Sequence, residues 1–175
     1  MSTGQTMLSI GAFMFLTTIL LNFYRVAAET GDTIASGQDG ILATTIAASY
    51  SEIAQGLAFD EITDSTNAAL ASPTVLTPAS SLGPEAGEDS LKDFNDFDDF
   101  NGKYFDKRAT GTNRIYRTWF TVSYVNPDNI SQVSSARTFV KRMDLRTWRI
   151  SPAAASASEI DTVRTFLVLG YFHFD

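Results

Sequence analysis

The residues best suited to chemistry lie in one short stretch, Ser90 to Asp106, which is rich in aspartate, asparagine and phenylalanine. Carboxylate and amide oxygens are ligands for hard cations, and Ca²⁺ takes about six to eight of them. The spacing is not that of an EF-hand loop, which needs a glutamate at its twelfth position. The candidate calcium ligands in this stretch are Asp93, Asn95, Asp96, Asp98, Asp99 and Asn101.

The same stretch also has a purely structural interpretation. Phe94, Phe97 and Phe100 recur at every third residue, so they can anchor one edge of a turn in the core, and Gly102 permits a sharp exit. The carboxylates would then stay in water as a solvated acidic loop. The sequence leaves both interpretations open: a calcium site, or an acidic loop held by three phenylalanines.

No other pattern in the sequence indicates catalysis, so we predict that the protein is not an enzyme. The single histidine, His173, stands two residues from the end and is expected at a strand end on the surface. There are no cysteines, which excludes disulfides and thiolate chemistry. The net charge of −7 argues against nucleic acid as a main partner, because phosphate binding needs a basic patch.

Antiparallel strands are predicted after the acidic stretch, over 114–125, 137–150 and 162–174. The small-residue segment 151–158 is expected to connect the last two. Alternation in the first strand places its apolar residues on one face: Tyr116, Phe120, Val122 and Tyr124. In the second strand, Phe139, Met143 and Leu145 are expected on the buried face, whereas a wet opposite face or edge is expected for Lys141, Arg142, Arg146 and Arg149.

A helix is expected to cover one face of this sheet. Ile46, Tyr50, Ile53 and Leu57 repeat at four, three and four residues, which is one face of an amphipathic helix. We predict one long helix ending near Ala58. Glycines at positions 31, 37 and 40 leave open two helices joined by a flexible linker. The fold class is therefore α+β, a long N-terminal helix packed on a C-terminal antiparallel sheet of three to four strands.

The segment Met1 to Tyr24 contains no charged side chain, and the first charge is Arg25. As a helix, its 24 residues would extend roughly 36 Å, enough to cross a bilayer core of ~30 Å. A cleaved signal peptide would need a positive region before the apolar run. A single-pass anchor, or a helix that leaves the membrane to pack against copies of itself, remains open. Ser9, Thr17, Thr18 and Asn22 favour close helix contacts.

This segment resembles the N-terminal helix of the type IV pilin-like family, which includes type IV pilins and the pseudopilins of type II secretion. Met1 matches the N-methylated residue that follows peptidase cleavage, and Tyr24 matches a tyrosine at the end of the apolar run. Gln5 stands where the family has a glutamate and offers a neighbour's amine only a neutral hydrogen bond. A cut after Gly4, which would make Gln5 the first residue, is the alternative.

The resemblance implies a structural subunit of an extracellular helical filament on a bacterial surface, serving adhesion, motility or related functions. Its helices would bundle in the core with the β-rich heads outside. The implied partners are further copies of the chain, a prepilin peptidase and an inner-membrane assembly machinery, and the chain would lie in the inner membrane before assembly. No cofactor is required, although pseudopilins bind calcium in loops between helix and sheet. The expected assembly residues are Met1, Gln5, Met7, Leu8, Phe13, Phe15, Leu16, Leu20, Leu21 and Tyr24.

The expected organisation is an apolar helix over 1–25, its amphipathic continuation over 26–58, a loop region with the acidic stretch over 59–112, and the sheet over 113–175. The alternative function is a single-pass, membrane-anchored extracytoplasmic binding domain. That domain would depend on calcium if the acidic stretch binds the ion.

Overall fold

The computed structural model describes residues 3–65, 69–152 and 162–172. The fold is α+β, a long N-terminal helix followed by a C-terminal antiparallel sheet, as the sequence predicts. The sheet has five strands where three to four were expected. The elements are α1 (Thr3–Gln55), α2 (Glu61–Ser65), a 3₁₀ turn (Pro73–Val75), a second 3₁₀ turn (Asp98–Phe100), β1 (Tyr104–Arg108), β2 (Ile115–Asn126), β3 (Asn129–Val133), β4 (Val140–Ser151) and β5 (Val163–Gly170).

The chain divides into two compact units, with the division between Asp39 and Gly40. The described residues of the first unit belong entirely to α1. The helix assignment continues through Gly31, Gly37 and Gly40, so the single-helix prediction is confirmed and the two-helix alternative is wrong.

The helix ends at Gln55, three residues before the predicted end at Ala58. At this end the last turn closes with a three-residue hydrogen bond, in which Gly56 N donates to Ile53 O at 3.0 Å. Such an i to i−3 bond is a common way to satisfy the last carbonyls of a helix.

In the second unit the sheet order is β1-β2-β4-β5, all antiparallel, with β3 paired to the end of β2. The two long strands lie side by side in the centre, and their register sets Phe120 opposite Leu145 and Val122 opposite Met143. The predicted apolar face of the first strand is confirmed, because all four of its residues are buried: Tyr116, Phe120, Val122 and Tyr124.

The C-terminal turns of α1 contribute Ala43, Ile46, Tyr50 and Ala54 to the core beneath the sheet. The ring of Tyr50 meets that of Phe120 edge to face at 5.3 Å between centroids. Ile53 was predicted on this packing face, but it is 40% exposed. The helix face that packs on the sheet instead includes two small residues, Ala43 and Ala54, which are buried.

Two strands lie where none was predicted. β1 falls inside the range 59–112 that was expected to be loop, and β3 follows the tight turn after β2. Both are five residues long and largely exposed, so they lack the apolar alternation that reveals a half-buried strand. The predicted third strand corresponds to β5. Positions 153–158 of the predicted connector, with positions 159–161 and 173–175, lie outside the described residues, and so does His173.

Candidate functional site

The three phenylalanines of the acidic stretch are core residues, as their spacing predicts. Phe94 is 6% exposed, and Phe97 and Phe100 are fully buried. The ring of Phe100 lies 5.2 Å from that of Phe94 and 5.0 Å from that of Phe120, measured between centroids. The stretch is therefore fixed to the inner face of the sheet at three points.

Three aspartates in the middle of the stretch are buried, so the solvated-loop interpretation is wrong for them. Asp96, Asp98 and Asp99 are each 0% exposed. Asp96 Oδ1 accepts from the backbone N–H of Asp98 at 2.8 Å and of Asp99 at 3.3 Å. Asp99 Oδ2 accepts from the N–H of Asn95 at 2.9 Å and of Asp96 at 3.0 Å. The carboxylate of Asp96 thus bonds to the backbone of the second 3₁₀ turn, and the carboxylate of Asp99 bonds back to the two residues before Phe97.

Lys141 is the main correction to the sequence analysis, which placed it on a wet face. It is 0% exposed. Its Nζ donates to Phe59 O at 2.7 Å, to Asp60 Oδ2 at 2.9 Å, and to Asp98 Oδ1. Lys141, Met143 and Leu145 occupy every second position of β4, so they share the buried face of the strand. Strand geometry therefore places Lys141 inside despite its charge.

Asp60, the second carboxylate on Lys141, is also tied to the loop and the sheet. It accepts from the backbone N–H of Thr77 at 3.1 Å and from the hydroxyl of Tyr124 at 3.3 Å. Burial, followed by the charge of Asp60, raises the pKa of Tyr124 and keeps its phenol protonated as a donor. We call Lys141, Asp60 and Asp98 the lysine-centred cluster.

The remaining predicted calcium ligands, Asn101, Asp93 and Asn95, do not point to one common position. Asn101 bridges loop and sheet, since its Nδ2 donates to Leu82 O at 2.9 Å and its Oδ1 accepts from Val122 N at 2.9 Å. Asp93 accepts from Ser90 Oγ at 2.6 Å at the exposed start of the stretch. Asn95 Oδ1 is buried without a hydrogen-bond partner. The six predicted ligands therefore do not share one site, and the side chains of five of them bond to groups of the protein.

A set of glutamates was missed by the sequence analysis. Within the described ranges, the carboxylates that approach one another within 4.8 Å in a group of three are Glu61, Glu85 and Glu88. Glu61 begins α2, and the other two lie in the loop before the acidic stretch. Glu61 lies more than twenty positions before the other two, so no local spacing could reveal the group. We call these three residues with Asp99 the glutamate cluster.

Burial and like charges raise the pKa values of several of these carboxyls. Asp96 rises to about 8, mainly through burial and then through the charge of Asp98, although Lys141 opposes the shift. Glu85 rises to about 7 through burial and its contact with Glu88. Asp99 rises to about 6, again chiefly by burial. Of the four buried aspartates, Asp60 and Asp98 form ion pairs with the buried Lys141, whereas the carboxylates of Asp96 and Asp99 accept from backbone N–H groups.

The second candidate site is the apolar surface of the first part of α1. Within the described residues, every large apolar residue predicted for assembly is exposed, from 47% for Leu20 to 78% for Leu8. This set comprises Met7, Leu8, Phe13, Phe15, Leu16, Leu20, Leu21 and Tyr24. Gln5 is exposed in the first turns, and Met1 lies outside the described residues. α1 contains an 18-residue window that is apolar enough to cross a membrane, and none of it is buried.

The small polar side chains of this segment bond to their own helix. The hydroxyls of Ser9, Thr17 and Thr18 donate to the carbonyls four residues earlier at 2.8 to 3.0 Å, and Asn22 Nδ2 donates to Thr18 O at 3.0 Å. They were expected to favour bonds between helices. In α1 their donors are instead satisfied within the helix.

Comparisons with known proteins assign no relative, since no family model, no curated protein and no solved structure matches the chain.

Proposed function

We propose that the chain is a structural subunit of an extracellular helical filament, in which the apolar parts of many α1 helices bundle in the core and the β-rich heads form the outside. The observation that carries this proposal is the exposed apolar surface between Met7 and Val26. Large apolar surfaces of this kind mark sites that contact lipid or another protein.

The proposal assigns two environments to this surface in succession. Before assembly the helix lies in the inner membrane, where its length and lack of charge suit the bilayer. In the filament the same side chains pack against neighbouring helices. Because lipid is as apolar as a helix bundle, the transfer gains packing and little hydrophobic energy, so we infer that an assembly machinery drives it.

The head supports a polymer through the end of its sheet. β5 is the last strand in the sheet order, and Phe166 on it is 58% exposed. An edge strand with an exposed aromatic is a surface on which another chain can pack. A head-to-tail contact that does not close into a ring propagates as a fibre.

The test is electron microscopy of material sheared from the surface of cells that express the chain, with mass spectrometry of its N-terminus. We expect filaments that contain the chain with a methylated Met1. The alternative, a single-pass anchored binding domain, uses the same helix and predicts detergent-soluble monomers with an unmodified N-terminus.

A paired substitution separates assembly from membrane insertion. Leu16→Ala with Leu20→Ala removes packing volume but leaves the helix uncharged, so the chain should still enter the membrane while sheared filaments decline at least tenfold. The control Val133→Ala removes an exposed apolar residue of the head and should leave the yield unchanged. Equal filament yields from both variants would contradict the bundled core.

A further inference from the structure

The sheet has an outer face that points away from the core. Successive residues of a strand point to opposite faces, and Met143 and Leu145 of β4 are buried on the inner one. Arg146 therefore lies on the outer face, and the strand register places Arg164 of β5 beside it. On β2, β4 and β5, the arginines that point outward are Arg117, Arg142, Arg146 and Arg164.

Two of these arginines have an acidic partner on the same face. Arg117 Nε lies 2.7 Å from Asp106 Oδ1, and Arg142 Nη2 lies 3.0 Å from Asp144 Oδ2. The charges of each pair cancel, so these two pairs add no net charge to the outer face.

Arg146 and Arg164 have no such partner. They stand directly opposite each other in the register of β4 and β5, and both are exposed. Within the part of the chain that the structure describes, neither side chain forms an ion pair or a hydrogen bond. Like charges directly opposite each other destabilise a sheet. An anionic partner would remove this repulsion, and the neighbouring Trp119 and Phe166, 41% and 58% exposed, offer it apolar surface.

The same chain has an acidic surface on α2 and the loop that follows it. Positions 26–91 contain acidic residues but no lysine or arginine. Three of their carboxylates approach one another within 4.8 Å, and exposed aspartates lie beside them in α2 and the loop. None of the ion pairs found among the described residues includes one of these acids. We call this set the acidic surface: Glu61, Asp64, Glu85, Glu88 and Asp89.

The two surfaces lie on opposite sides of the sheet, so one chain cannot join its own. Phe97 and Phe100 fix the acidic stretch to the inner face, and Asp99 between them contacts Glu88 of the acidic surface. The unpaired arginines lie on the outer face. A contact between these surfaces therefore needs two copies of the chain, and because the two surfaces differ, the contact is head-to-tail.

We propose that the outer face around Arg146 and Arg164 binds the acidic surface of a second copy of the chain. A guanidinium group can donate two parallel hydrogen bonds to one carboxylate, so it suits this partner. Exposed ion pairs contribute little individually, so the contact is weak between two chains and gains strength by repetition along a filament. The inference rests on the proposed function, because it names the surfaces through which the heads meet.

The experiment measures the association of the full chain in detergent, where micelles cover the apolar part of α1. Sedimentation velocity gives the Kd. We expect the Kd to rise roughly tenfold or more when the ionic strength is raised from about 0.02 M to about 0.5 M, because salt screens exposed charges. No association at the lower ionic strength up to about 1 mM protein, or association that salt does not change, would overturn the proposal.

Charge reversal locates the two surfaces. Arg146→Glu with Arg164→Glu, and separately Glu85→Lys with Asp89→Lys, should each raise the Kd about tenfold or more. All four positions are exposed, so the variants should fold. A chain that carries all four substitutions should associate with itself but not with the parent, because both surfaces have exchanged charge. A parental Kd in either paired variant, or no recovery in the fourfold variant, would overturn the assignment.

A control variant and a second ligand test the specificity. Lys92→Glu with Lys107→Glu makes the same change in net charge at exposed positions away from the outer face, so it should keep the parental Kd. An equal loss in this control would show that net charge sets the association and would overturn the proposal. A parental chain that binds heparin but not itself would assign the outer face to an acidic polymer, with the same consequence.

The assembly proposal can fail separately from this inference. Leu16→Ala with Leu20→Ala should lose filaments but keep the association of heads in detergent. Filaments at parental yield from Arg146→Glu with Arg164→Glu would overturn this inference and leave the bundled core standing.

Discussion

Asp60 and Glu61 are neighbours in the chain, yet their carboxylates are neutralised in different ways. Asp60 shares Lys141 with Asp98 in a cluster that is completely buried. Glu61 lies with Glu85 and Glu88, and none of the ion pairs found among the described residues includes one of these three glutamates or Asp99. A buried carboxylate needs a proton, a basic side chain or a metal ion. The lysine-centred cluster therefore has its counter-charge within the protein, whereas the glutamate cluster brings like charges together.

The largest expected effect comes from breaking the lysine-centred cluster. Lys141→Met should lower the free energy of unfolding by about 3–5 kcal/mol, because it leaves two carboxylates buried without a counter-ion. Urea denaturation of the full chain in detergent, followed by tryptophan fluorescence, measures the loss. Arg146→Met, at an exposed position of the same strand, should change stability by less than about 0.5 kcal/mol. Similar losses in the two variants would show that the burial of Lys141 is unimportant.

A smaller effect is expected from pH in the presence of chelator. The pKa of Asp96 is about 8 in the folded chain and near 3.8 ordinarily, so the folded state binds this proton more tightly. Its contribution is fully present below pH 3.8 and is lost as pH rises through 8, so the free energy of unfolding should fall across that window. The charged groups facing Asp96 are Asp98, Asp99 and Lys141. Asp106, whose pKa is lowered by its hydrogen bond from Arg117, acts in the opposite direction only at lower pH.

Urea denaturation at pH 5.5, 7 and 8.5 measures how the free energy of unfolding depends on pH. Asp96→Asn should make that dependence weaker. Stability that rises with pH over the same range would contradict the raised pKa.

The smallest effect has the opposite sign and belongs to the glutamate cluster. Glu85→Gln in chelator should leave stability unchanged or raise it by up to about 0.5 kcal/mol, because it removes repulsion at a surface position. Thermal unfolding of the variant and the parent at pH 8 measures the difference. A loss of stability in chelator comparable to that of Lys141→Met would mean that the two clusters do not differ.

The sequence predicts the parts of this fold that have a clear period. The covering helix and the two central strands follow from apolar residues such as Ile46, Tyr50 and Phe120, because each pattern matches one buried face. β1 and β3 escape prediction since they are short, exposed and without alternation. The spacing of apolar residues also predicted Ile53 on the buried face of α1, but Ile53 is 40% exposed and its neighbour Ala54 is buried. The pattern of large apolar residues therefore does not locate the packing face to the residue.

The site was only partly predictable for a different reason. Lys141 was placed on a wet face because of its charge, although alternation with Met143 and Leu145 indicates the buried face. The glutamates come together only through the path of the loop, and nothing in their spacing signals it. Asp99 belongs to both the predicted ligand set and the observed cluster, because phenylalanines on either side fix its position.

The hydroxyls of Ser9, Thr17 and Thr18 each return to a carbonyl of the same helix. Because these hydroxyl donors are already satisfied, the three side chains need no acceptor from lipid or from a neighbouring helix. In the proposed filament, contacts between these parts of α1 would then depend on the shapes of their apolar side chains.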